Sequence, residues 1–132
     1  MITIVSRWEL QQMPPELELR MWRQLVNFGI SRFIFVPRTD VLNTKVTQYN
    51  TMQEALTHVS PDNRVFLEST GAKGMYDLPP RDEDVTFILG NSTRHNLAHA
   101  RLNELYRIQE PRTTNMYPTS AAAIALAYWV GQ

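Results

Sequence analysis

Apolar positions along this chain fall into short runs, and amphipathic stretches separate them. Ile2-Thr-Ile-Val5 reads as a strand. Pro14 and Pro15 then stand at a turn or at first helical positions. Leu17, Met21, Trp22, Leu25, Val26 and Phe28 make a helical stripe, which Gly29 can stop. Phe33–Val36 forms a second strand, closed by Pro37. Thr51–Val59 has helical spacing through Met52, Ala55, Leu56 and Val59, with its N-cap at Asn50 or Thr51. Val65–Leu67 and Val85–Leu89 supply two more strands. Uniformly apolar strands alternating with helices predict a mostly parallel sheet with helices on both faces, an α/β fold.

The last third is patterned differently. Gly90-Asn91-Ser92-Thr93 follows the Val85–Leu89 strand, and a short helix is expected from Leu97 to Leu105. A brief strand at Tyr106–Ile108 leads into a polar loop, Gln109 to Pro118. Ser120–Val130 then predicts a helix capped by Thr119 or Ser120, with Gly131 as its stop. Its dense alanines let it approach a neighbour closely, either threaded under a loop or pressed against a partner subunit.

Composition narrows the classes. With 132 residues the chain suits one domain, able to bury roughly two-thirds of its unfolded surface. No internal repeat or low-complexity linker divides it. The absence of cysteine excludes a disulfide framework, a thiolate metal site and a cysteine nucleophile. The amino-terminal residues lack the pattern of a signal peptide, and the longest apolar run, Ala121–Val130, is too short to span a membrane, so the expected location is cytoplasmic. Thirteen basic residues balance thirteen acidic ones, which argues against coating nucleic acid by bulk charge but allows a local basic face.

Three segments together resemble the SPOUT (α/β-knot) RNA methyltransferases, especially the small SpoU-type tRNA 2′-O-ribose enzymes. The first is Val65-Phe-Leu-Glu-Ser-Thr-Gly-Ala-Lys-Gly-Met-Tyr-Asp77, like the family's strand and loop at one cofactor wall. The second is Val85-Thr-Phe-Ile-Leu-Gly-Asn91, similar to a family strand ending in Gly-Asn-Glu or Gly-Pro-Glu. The third is Tyr106–Ile108 followed by Asn115-Met-Tyr-Pro-Thr-Ser-Ala-Ala-Ala-Ile124, similar to the family tail. Order and spacing hold from Ile2 to Trp129. The chain departs from the family at Ser92, where an acid is usual, at Gln109 in place of proline, and at Asn115-Met116-Tyr117 in place of Ser-Leu-Asn. Arg20-Met-Trp-Arg23 stands where the family often carries Asn-x-x-Arg.

The resemblance implies a trefoil knot in the last third, a homodimer, S-adenosylmethionine as cofactor and RNA, most readily tRNA, as substrate. It implies a cofactor wall of Ser69, Thr70, Gly71, Leu89, Gly90, Asn91, Ile108, Met116 and Ser120, with Arg23 and Tyr117 as catalytic residues. Methyl transfer to a hydroxyl needs donor and acceptor in near-attack geometry and help with the hydroxyl proton, but no metal. An always-charged guanidinium at Arg23 would favour the alkoxide, while a solvated helix arginine is the plain alternative. Gly71 and Gly90 would admit close approach to a purine, or simply serve turns. Tyr117 could bond the cofactor or nucleotide, or pack in the core. Ser120 could contact substrate, or be an N-cap.

His95 and His99 have the spacing of a two-ligand metal pair on a helix but no third ligand, so a solvent-facing or RNA-proximal pair is expected. Asp82-Glu83-Asp84 reads as a solvated loop. Arg94, Arg101, Arg107 and Arg112, with Lys73 and Arg38, would form a phosphate-contacting face if they gather on one side. A chain this small would need a dimer surface or an accessory protein to hold tRNA. The competing function is a catalytically degenerate SPOUT-like scaffold that binds cofactor or RNA. A base methylase of the same fold and an unrelated, unknotted nucleotide-binding α/β domain are further alternatives.

Overall fold

The runs expected as strands join one sheet in a computed structural model of the chain, which describes residues 1–10, 12–41, 46–108 and 116–132, although of the run Tyr106–Ile108 only Tyr106 is in a strand. The strands are β1 (Ile2–Arg7), β2 (Ile30–Val36), β3 (Thr47–Gln48), β4 (Arg64–Leu67), β5 (Val85–Leu89) and β6 (Leu105–Tyr106). Their order is β3-β2-β1-β5-β4-β6, and every pairing is parallel. The two-residue edge strand β3 has too short an apolar signal to be visible in the sequence.

Strand side chains alternate between two cores, as the period of two requires. Ile4, Phe35, Val65, Leu67, Phe87 and Leu89 face α1 (Pro15–Gln24) and α3 (Pro118–Val130). Val5, Ile34, Val36, Phe66 and Ile88 face the five-residue α2 (Met52–Leu56). Thr51 caps α2 by accepting the Glu54 N–H at 3.1 Å. On the first face Trp8 stacks on Phe35 at 4.0 Å, and Trp22 meets the same ring edge-on. The alanines of α3 turn inward: Ala122 and Ala125 are fully buried against the chain's own sheet and α1 side. Leu126 beside them contributes about 1.5–3 kcal/mol by burial.

Three local expectations are corrected. No helix runs from Leu97 to Leu105; two separate 3₁₀ turns, Leu97–His99 and Leu102–Glu104, lead into β6 at Leu105–Tyr106. The stretch has no apolar stripe to bury, since Leu102 is 86% exposed, and Ala100 is extended between the turns. The α3 cap is neither Thr119 nor Ser120, because Pro118 already occupies the first helical position, where its missing N–H costs nothing. The cap residue is Tyr117, which makes no side-chain capping bond. The last turn of the first helix tightens to a 3₁₀ turn, Leu25–Phe28, before Gly29 at φ 90° ends it in the left-handed region.

No helix among the described residues is long and apolar enough to cross a membrane. The loop expected from Gln109 onward, including Gln109, Arg112 and Asn115, lies outside the described residues up to position 115.

Candidate functional site

Parallel strands deliver all their carboxyl ends to one edge of the sheet, and on the β5-β4-β6 side of that edge the chain leaves a cleft of about 240 Å³. Leu67, Glu68, Ser69 and Thr70 from the end of β4 form one wall. Leu89 and the loop Gly90–His95, with Leu97, form a second. Ile108 after β6 and Met116, Pro118 and Ala121 at the start of α3 form the third. Such an edge is where open α/β sheets bind ligands, because the loops rather than the ladder supply free polar groups there.

The wall after β5 is folded by its own side chains. Asn91 Oδ1 accepts the N–H groups of Thr93 and Arg94 at 3.0 and 2.8 Å, an Asx turn, and Asn91 Nδ2 donates to the Trp8 carbonyl at 2.7 Å. Glu9, 2% exposed, holds the loop from behind, its two oxygens accepting Ser92 N–H at 3.2 and 2.9 Å. Glu18 in turn accepts Glu9 N–H at 2.8 Å and Trp22 Nε1–H at 3.2 Å. Burial raises the Glu18 carboxyl above the ordinary glutamate range, against the two hydrogen bonds that lower it, and the nearby Glu9 charge adds to the rise.

A second polar network lies under the β4 wall. Glu68 Oε1 accepts Asn96 N–H at 2.8 Å, and Arg7 Nε donates to Asn96 Oδ1 at 2.7 Å. Burial raises the Glu68 carboxyl, opposed by the Asn96 hydrogen bond and by the charges of His95 and Arg7. Burial also lowers the Arg7 guanidinium, with Arg94 acting the same way and Glu68 in opposition. His99 is lowered by burial and then by Arg7. Two buried polar atoms of these loops, Ser92 Oγ and Asn96 Nδ2, have no hydrogen-bond partner among the described residues.

Of the residues expected to form a cofactor wall, Ser69, Thr70, Leu89, Gly90, Asn91, Ile108 and Met116 line this cleft together. Gly71 and Ser120 do not line it; Ser120 is exposed while its neighbour Ala121 faces in. The two glycines are required by the protein's own backbone. A Cβ at Gly71 would lie 2.4 Å from the Tyr106 carbonyl carbon, and one at Gly90 would lie 2.3 Å from the Arg94 oxygen. Tyr117 stands between two lining residues, is 38% exposed and does not itself line the cavity.

Arg23 is elsewhere. The helix α1 runs back from the carboxyl end of β1 to the start of β2, so its last turn carries exposed Arg23 toward the opposite end of the sheet.

His95 and His99 share no helix, and the described residues contain no cluster of three or more metal-ligating side chains. The basic residues gather only in part. Arg94 lines the cleft, Lys73 sits 5.3 Å over the Tyr106 ring, and Arg107 reaches the Gly71 carbonyl at 3.4 Å. Arg38 instead serves the β2–β3 side by donating to the Gln48 carbonyl. Asp82, Glu83 and Asp84 are exposed as expected, with Asp84 paired to the Met1 ammonium at 2.6 Å.

Sequence reasoning gives no role to Arg7, Glu9, Glu68 or Asn96. The available signal is position: Glu68 directly follows the apolar run Val65–Leu67, and Arg7 and Glu9 follow the β1 run.

No protein-family model and no curated protein matches the chain. Solved structures do. A protein of Bacillus anthracis assigned as an RNA methyltransferase superposes with TM-score 0.73 at 15% identity, over 98% of this chain and 92% of that one. This is a shared fold. A structure concerned with 2-OH methylation of C/U34 on tRNA matches with TM-score 0.66 at 15% identity, over 99% of this chain and 94% of that one. Lpg2936 of Legionella pneumophila, assigned as a methyltransferase and solved with bound SAM, matches with TM-score 0.68 at 15% identity. Its match covers 98% of this chain but 65% of the other.

Proposed function

We propose that the chain is an S-adenosylmethionine-dependent RNA methyltransferase of the SPOUT type, acting in the cytoplasm as a homodimer on a tRNA ribose 2′-hydroxyl. The observation that carries this reading is the cleft at the ends of β4, β5 and β6, where seven residues of the expected wall meet. Full-length similarity in fold to RNA methyltransferases supports it.

The residues present fit an adenosine-bearing cofactor. Leu67, Leu89, Leu97, Ile108 and Met116 offer apolar surface to a purine, and the Ser92 hydroxyl and Glu68 carboxylate offer polar partners. The bound cofactor would supply an electrophilic methyl group on sulfur. The chain's part is to hold the donor in a dry wall, to orient the ribose hydroxyl and to ease loss of its proton. In this reading Tyr117, exposed between the lining residues Met116 and Pro118, contacts an incoming nucleotide. Arg23 can serve the reaction only if a second copy brings its α1 to the cleft, which is what the homodimer provides. Arg94, which lines the cleft, would meet phosphates, and an accessory protein would widen that surface. In this reading the last third of the chain forms a trefoil knot, and Gly71 packs close against the Tyr106 and Arg107 backbone.

The position of Arg23 also favours one competing reading, a scaffold that binds the cofactor without catalysis. Incubating the protein with methyl-labelled SAM and bulk tRNA, followed by nucleoside mass spectrometry, separates the two. A 2′-O-methyl nucleoside is expected, and Arg23→Ala should abolish it while S-adenosylhomocysteine still binds. A methylated base would move the reaction to a base methylase. Tight binding without any transfer would leave the scaffold.

A further inference from the structure

Among the described residues the cleft contains one acidic side chain, Glu68, set between the apolar residues Leu67, Leu89 and Leu97. Its geometry is fixed from behind. Oε1 accepts the Asn96 N–H at 2.8 Å, and Asn96 is itself 1% exposed and held by Arg7 Nε at 2.7 Å. An ionised carboxylate has about four acceptor sites on two oxygens, so a single backbone bond leaves most of its capacity directed at the cavity. On the neighbouring loop Ser92 also lines the cleft, and its enclosed hydroxyl has no partner among the described residues. An enclosed hydroxyl left open in this way costs free energy until a partner arrives, and the half-buried Glu68 keeps acceptor capacity beside it.

The surroundings decide which kind of donor. The always-charged Arg7 acts on Glu68 through Asn96, and the guanidinium of Arg94 lines the same cavity. An ammonium or sulfonium brought to this corner would meet those cations, whereas neutral hydroxyls would not. We propose that Glu68 recognises the sugar of a nucleoside ligand in this cleft, its carboxylate accepting hydrogen bonds from the vicinal ribose hydroxyls. The inference rests on the cofactor reading of the cleft and adds to it the group that selects a ribonucleoside over a deoxyribonucleoside. A site built to bond a hydroxyl rejects the analogue without it, because the ligand then covers carboxylate oxygens without supplying a donor to them.

Calorimetry on the intact protein tests this without any need for turnover. S-adenosylhomocysteine and its 2′-deoxy and 3′-deoxy analogues are titrated into the wild-type protein and into Glu68→Gln. The glutamine keeps a carbonyl for Asn96 and turns a donor toward the ligand. Wild-type protein should bind each deoxy analogue roughly tenfold or more weakly than the parent. Glu68→Gln should weaken the parent by a similar factor and lose the discrimination. Wild-type affinity should also fall as pH is lowered and the carboxylate takes up a proton, and that fall should vanish in the variant. Equal binding of parent and deoxy analogues by the wild-type protein overturns the inference and leaves the cofactor reading standing, a result that holds even if the variant fails to fold. Discrimination retained in Glu68→Gln overturns it equally. A wild-type protein that binds neither SAM nor S-adenosylhomocysteine removes the cofactor reading, and the inference with it.

Discussion

The two halves of the sheet's carboxyl edge are made alike and end differently. On the β1-β2-β3 side, Gln48 closes the loops. Its Oε1 accepts from Trp8 Nε1 and from Thr39 N–H, its Nε2 donates to the Thr39 carbonyl, and its own carbonyl takes Arg38. Trp8 fills the space beneath, stacked on Phe35. On the β5-β4-β6 side the loops leave a cavity, an acid with spare acceptor capacity and two buried polar atoms without partners among the described residues. The contrast teaches that position at a strand end does not make a site. A site remains where the loops do not complete one another's hydrogen bonds.

The strongest way to break this contrast is to fill the open side. Gly90→Ala places a Cβ 2.3 Å from the Arg94 carbonyl oxygen, a backbone atom that cannot swing aside. The Asx turn at Asn91 should be forced out of register, with a loss of about 2–4 kcal/mol in denaturant unfolding and no measurable S-adenosylhomocysteine binding. A variant that binds normally would show the loop to be far more adaptable than its packing implies.

Damage to the closed side should do the reverse. Gln48→Leu strands the Trp8 indole N–H and the Thr39 N–H and should cost about 1–3 kcal/mol of stability. Ligand affinity, measured by calorimetry on the folded variant, should stay unchanged. A matching loss of affinity would mean that the two halves are coupled.

Acid and base sharpen the picture further. The Glu18 carboxyl titrates above its unfolded value because of burial, so the folded protein holds that proton more tightly than the unfolded chain does. Its contribution favours folding below the unfolded pKa and is lost as pH rises through the raised folded value. Glu18→Gln should flatten that decline in a urea-unfolding series across mildly acidic pH. An unchanged slope would assign the decline to another carboxyl, with Glu68, raised for the same reason, first in line.

The smallest effect belongs to the far face. Thr51→Ala removes the α2 cap and should cost about 1 kcal/mol, with no change at the cleft.

Much of this arrangement is legible in the sequence, and its limits are physical. Val65–Leu67 and Val85–Leu89 are apolar on both faces, so they announce buried parallel strands, and the loops after such strands can be expected to face a ligand. The stretch from Leu97 to Leu105 misleads because scattered leucines mimic helical spacing while nothing stands opposite to bury them. Glu68 and Glu9 are silent because a lone acid shows its partner only after folding brings residues 83 positions apart together, as for Glu9 and Ser92. The glycines can be expected at turns, but which backbone they make room for is a tertiary fact. Arg23 shows another limit: the sequence does not reveal that α1 carries it to the end of the sheet opposite the cleft.

The strand order also governs when the molecule can exist at all. Ile2 lies beside Ile30 on one side and Val85 on the other, so the central strand emerges from the ribosome long before its second neighbour. Such distant pairings fold slowly, since loop closure must precede any gain from contact. Until α3 arrives with Pro118 and Ala121, nascent chains carry a bare apolar flank and a cleft without its third wall. Residues through Ala121 must therefore be made before the third wall of the cleft can form, and until then shielding of that flank falls to whatever chaperone meets it.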